Sequence, residues 1–114
     1  MNYAIITTED FESNFKRLAK KYRSLHDDLK TFIKELYENP TMGDYLGDNT
    51  RKVRMAIASK NKGKRGGARI ITFHVLIDVV NTDIYLLDIY DKSEQASISK
   101  QDIEQLKQIN LLPR

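Results

Sequence analysis

Cysteine and tryptophan are absent from this 114-residue chain, and proline occurs only twice. Without cysteine, neither a disulfide framework nor a thiolate metal site can form. Long apolar runs are missing as well. None approaches the roughly 18 residues that a membrane span requires, so no membrane partner is expected. Histidine is scarce, and His26 and His74 sit in separate segments, which leaves a serine–histidine triad or a clustered metal site without support. No metal and no cofactor are expected. The opening MNYAIITTEDFE has no basic stretch ahead of an apolar one and no small-residue cleavage site, so the expected location is the cytoplasm. Acid is missing from one segment in particular. Arg51 to Arg69 holds eight of the 19 Lys and Arg and no Asp or Glu, leaving the rest of the chain with 11 bases against 16 acids. An acidic body with one basic segment is the footprint of a surface that faces phosphate.

What is present reads as a soluble globular protein, 40% hydrophobic and 31% charged, with one domain spanning residues 1–114. Tyr3 to Ile6 is β-prone. Thr8 can cap a helix whose first turn holds Glu9, Asp10 and Glu12, and Phe11, Phe15, Leu18 and Tyr22 recur on its apolar stripe. Ser24 with Asp27 resembles a second capping box, followed by a stripe of Leu25, Leu29, Phe32, Ile33 and Leu36 and a stop at Asn39-Pro40. The period then falls to two: Val53, Met55 and Ile57 alternate with Lys52, Arg54, Ala56 and Ala58. Two more strands, Arg69 to Ile77 and Ile84 to Tyr90, follow the glycine-rich loop SKNKGKRGGAR, and Ser99 with Asp102 caps a last helix. The order β-αα-βββ-α predicts a small α+β domain, an antiparallel-rich sheet with its helices packed on one face.

On the strand over 51–59, Lys52 and Arg54 project from one face, together with the small Ala56 and Ala58. Arg69 opens the next strand beside Gly66-Gly67, where backbone can approach a ligand. Tyr90, Lys92 and Glu94 share a parity if the chain stays extended, and so are expected on that same face. Lys60, Lys62, Lys64 and Arg65 form a flexible basic tip whose charges repel one another unless an anion is present. This inventory suits phosphoryl chemistry on RNA. The 2′-hydroxyl supplies the nucleophile, so the protein need only position the backbone, neutralise the phosphorane and move protons. Arg gives bidentate phosphate contact, and a Lys crowded by like charge can exchange a proton.

The stretch KVRMAIASKNKGKRGGARIITFHV followed by YLLDIYDKSE resembles the RelE/ParE superfamily of bacterial toxin–antitoxin toxins, closest to its RelE and HigB branches. The turn Asn39-Pro40 with Gly43 and the late Tyr90-x-Lys92-x-Glu94 add to the likeness. The resemblance implies a RelE-like fold and an mRNA interferase: a metal-independent endoribonuclease that enters the ribosome, cuts mRNA and halts translation until a cognate antitoxin binds. The family's basic-x-basic pair falls on Lys52 and Arg54, its Arg opening the next strand on Arg69, and its late basic residue on Lys92. RelE carries an Arg directly after that position, where this chain has Ser93, and a Tyr a few residues later, where it has Ala96 to Ile98; Tyr90 has to serve from elsewhere. The catalytic set implied is Arg54, Arg69, Tyr90, Lys92 and Glu94. Contacts to mRNA and ribosomal RNA fall to Lys52, Lys60, Lys62, Lys64 and Arg65. The alternatives are a ParE-like inhibitor of DNA gyrase, which needs no catalytic set, and an inert RNA-binding module.

Overall fold

The structure, a computed structural model, describes residues 1–111, so the last three positions of the expected domain lie outside the described residues. Strand β1 (Asn2–Thr7) leads into helices α1 (Glu9–Lys21) and α2 (Leu25–Glu38), then β2 (Asp44–Gly47), β3 (Thr50–Met55), β4 (Ala68–Leu76), β5 (Asn81–Asp91) and helix α3 (Lys100–Leu111). The five strands form one sheet in the order β1-β5-β4-β3-β2, with β1 parallel to β5 and every other pair antiparallel.

The local signals act as their chemistry predicts at three helix ends. Thr8 accepts a hydrogen bond from Phe11 N, Asn39 closes α2 ahead of Pro40, and Ser99 Oγ accepts from Asp102 N. Ser24 departs from the capping-box reading. Its backbone is already helical, and its hydroxyl donates to Asp28 and accepts from Ser59 N, fastening α2 to the basic loop instead. Strand β2 is an addition to the expected order. Gly47, Asp48 and Asn49 all have positive φ, and Asp48-Asn49 form the two-residue turn that folds β2 back along β3.

The helices do not share one face, contrary to expectation. The α1–α2 hairpin buries Phe11, Leu18, Leu25, Phe32 and Leu36 against Val53, Met55, Ile70, Ile84, Leu86 and Ile89. Helix α3 crosses to the other side, where Ile103 packs with Ile71, Leu87 and Tyr90. Sheet interiors with apolar residues on both sides need cover on both sides. A bulge makes the second cluster possible. Ile71 pairs with Asp88 but Thr72 pairs with Leu86, so Leu87 is an extra residue in β5. Strict alternation from Ile84 would turn Tyr90 toward the helical hairpin; the extra residue turns it to the α3 side.

Candidate nucleic-acid interface

Strand register brings three of the expected site residues abreast. Arg54 on β3 pairs with Arg69 on β4, and Arg69 pairs with Tyr90 on β5. Arg54 is exposed and holds no ion pair among the described residues. Arg69 is 5% exposed, and its guanidinium donates to the carbonyls of Lys64 at 3.2 Å, Arg65 at 3.0 Å and Ala68 at 3.2 Å. Burial pulls the Arg69 pKa down and the Arg54 charge adds to that, while Tyr90 and Asp44 oppose it. The Tyr90 hydroxyl is enclosed without any hydrogen-bond partner. Its pKa is raised by burial, partly offset by Arg69 and reinforced by Asp88, so the phenol stays protonated at neutral pH. Lys52 and Arg54 both line a cleft of about 260 Å³ with Gly43, Asp44 and Lys64.

The loop between β3 and β4 is tied to the body at several points. Strand β3 stops at Met55 and a single 3₁₀ turn, Ala58–Lys60, replaces the expected extension to residue 59, so Ala58 does not sit on the strand face. The Ala58 amide donates to the Asp28 carboxylate at 3.2 Å. Lys60 Nζ lies 2.8 Å from Asp91 Oδ1, and Lys64 Nζ lies 3.0 Å from Glu35 Oε2. Protein carboxylates therefore neutralise two of the four loop cations, and no bound anion is needed to hold them. Gly67 is required by close approach, since a Cβ there would stand 2.1 Å from the Met55 carbonyl. Lys62 and Arg65 remain exposed and unpaired among the described residues. With Lys92, Lys60, Gly66 and Ser93 they line a cleft of about 420 Å³.

The expected common face for Tyr90, Lys92 and Glu94 does not form. Strand β5 ends at Asp91, and the amides of Glu94 and Gln95 both return to the Asp91 carbonyl in a turn. Parity has no meaning beyond that point. Glu94 swings to α1, where its carboxylate meets Arg17 at 3.0 Å and Lys21 at 3.2 Å. These hydrogen bonds hold it below its ordinary pKa, Lys21 contributing most. Lys92 is exposed at the mouth of the loop cleft, its amide donating to Gly67 O at 3.2 Å.

Two acids of β5 escaped the sequence reading. Asp88 accepts a hydrogen bond from Asn14 at 2.7 Å, and burial raises its pKa. Asp91 is fully covered and accepts from Lys60, Tyr22 and Ser93. Burial alone would push its pKa up, yet these donors outweigh it and hold the carboxyl far below the usual range. The signal was an acid interrupting an apolar strand, LLDIYD, which requires a buried partner.

Among the described residues no group of three or more His, Asp or Glu could hold a metal ion, and no helix is long and apolar enough to cross a membrane. A family model described as the RelE toxin of the RelE / RelB toxin-antitoxin system matches residues 11–112, nearly the whole chain.

Proposed function

Because this chain belongs to the RelE toxin family, whose members are generally endoribonucleases held by a cognate antitoxin, we propose that it cuts mRNA on the ribosome by 2′-hydroxyl attack. The observation that carries this reading is the row Arg54–Arg69–Tyr90: two arginines opposed across strands beside an enclosed hydroxyl that has no partner. Like charges in direct opposition cost stability in the free protein. A phosphodiester placed over them converts that repulsion into attraction, which is binding energy available at the reacting centre.

In this reading Lys52 and Arg54 hold the non-bridging oxygens of the scissile phosphate. Arg69, fixed by the loop carbonyls, adds positive field and keeps Gly66-Gly67 in place. As the 2′-oxygen attacks phosphorus its proton passes to a non-bridging phosphate oxygen, and the bond to the 5′-oxygen breaks as that oxygen takes up a proton, leaving a 2′,3′-cyclic phosphate and a 5′-hydroxyl. The substrate supplies the nucleophile, so the step requires no metal ion. Tyr90 is protonated at neutral pH as any phenol is, and its hydroxyl, enclosed in the free protein, donates toward the phosphate or the departing oxygen only once RNA binding uncovers it. Lys92 lines the loop cleft with Lys62 and Arg65 and adds positive charge there, whereas Glu94 is occupied by Arg17 and Lys21 and serves structure. Lys62 and Arg65 extend the contact to mRNA or ribosomal RNA.

Expression without antitoxin, followed by mapping of transcripts and chromosomal DNA, tests the reading. Growth arrest with cleaved transcripts and intact DNA is expected. Intact transcripts with double-strand DNA breaks would replace it with inhibition of gyrase.

A further inference from the structure

Among the described residues, Lys60 and Asp91 form the one ion pair with both side chains covered, 8% and 0% exposed. The pair belongs to a network. Tyr22 and Ser93 both donate to Asp91, Lys60 also reaches Ser93 Oγ at 3.2 Å, and its ammonium lies 5.5 Å from the centre of the Tyr22 ring. A buried ion pair is weak evidence for stability, because well-packed neutral side chains of similar volume often do as well or better. Its distinguishing property is directional demand.

That demand falls where it controls the loop cleft. Lys60 closes the 3₁₀ turn, and Asn61 follows with φ of +58°, so the chain leaves this anchor to present Lys62 and Arg65. Asp91 directly precedes Lys92, which lines the same cleft. The pair therefore joins the two segments that make the cleft, and Ser93 hydrogen-bonds with both members.

Building on the reading of this face as an RNA contact, we infer that Asp91 and Lys60 are positioning residues. Together they set the spacing between Lys62 and Arg65 in the loop and Lys92 just after β5, so that all three engage one stretch of RNA backbone. Lys60 makes no RNA contact of its own.

The test is binding of a 2′-O-methylated single-stranded RNA, which this chemistry cannot cut, followed by fluorescence anisotropy across a salt series. Asp91→Asn adds one positive charge, and simple electrostatics predicts tighter binding; positioning predicts binding weaker by about tenfold, with a shallower salt slope. The double variant Asp91→Asn with Lys60→Met keeps the net charge and should fold, since both members of the buried pair become neutral. It decides the matter if the single variant does not fold, and the same loss is expected. Lys60→Arg, which retains the pair, should keep wild-type affinity. Folded variants with unchanged or tighter binding overturn the inference alone. A wild type that does not bind the probe overturns it together with the RNA-contact reading.

Discussion

Arg54 and Arg69 are directly opposite one another in the β3–β4 register, with no carboxylate ion-paired to either among the described residues. They differ in surroundings. Arg69 is buried and spends its donors on two loop carbonyls and that of Ala68, while Arg54 is exposed.

Substitution should separate these two roles. Arg54→Ala relieves the opposition and should stabilise the fold by a few tenths to about 1 kcal/mol. Cleavage should fall by about 10²-fold or more, because a contact to developing charge is lost. Arg69→Ala should lower both, since the carbonyls of Lys64, Arg65 and Ala68 lose their donor. Urea unfolding beside single-turnover cleavage measures both quantities. Destabilisation by Arg54→Ala would show that the opposed pair is not strained.

Tyr90→Phe removes a buried hydroxyl that has no partner. Deleting an unsatisfied polar group should leave stability unchanged or improve it slightly. Cleavage should drop by about 10²-fold if the phenol donates in the transition state. A fully active Phe variant would make Tyr90 a core residue with no part in proton transfer.

Asp91 gives a pH signature. Its pKa is depressed in the folded chain, so its contribution to stability is complete above the unfolded carboxylate value of about 4 and is lost as pH falls toward the folded one. Asp88 acts in the opposite sense: its raised pKa means that protonation on acidification favours the fold. Acid unfolding of the wild type should therefore begin below about pH 4, and Asp91→Asn should flatten that limb. Asp88→Asn should leave that limb unchanged and instead remove the gain in stability that acidification brings between the raised Asp88 pKa and about pH 4. Identical acid limbs in the wild type and Asp91→Asn, or identical stability profiles above about pH 4 in the wild type and Asp88→Asn, would contradict the assigned shifts.

Much of this arrangement is local and so legible in the chain. Thr8, Asn39-Pro40 and Ser99 act within a few residues of themselves, and strands β4 and β5 fall close to their β-branched runs. The β2–β3 hairpin was also within reach, since Gly47-Asp48-Asn49 is a turn sequence with the residues that tolerate positive φ. Other features depend on distant partners. The pairing of Lys60 with Asp91 and of Lys64 with Glu35 joins segments about 30 residues apart, so composition alone presented both lysines as free charge. The extra residue Leu87 inverts the side-chain alternation within β5, and no periodicity in IYLLDIY announces it. The row Arg54–Arg69–Tyr90 thus needed the register, although each residue stood out by type.

The central claim is cleavage of ribosome-bound mRNA through the substrate's own 2′-hydroxyl. Its most direct test is single-turnover cleavage on programmed ribosomes, comparing an all-ribose mRNA with one carrying a single 2′-deoxy nucleotide at the cut position. The account predicts rapid cutting of the first, with 2′,3′-cyclic phosphate and 5′-hydroxyl ends, and none at the deoxy position of the second. Free mRNA should be cut far more slowly. Cleavage at the deoxy nucleotide, or equal rates with and without ribosomes, would contradict it.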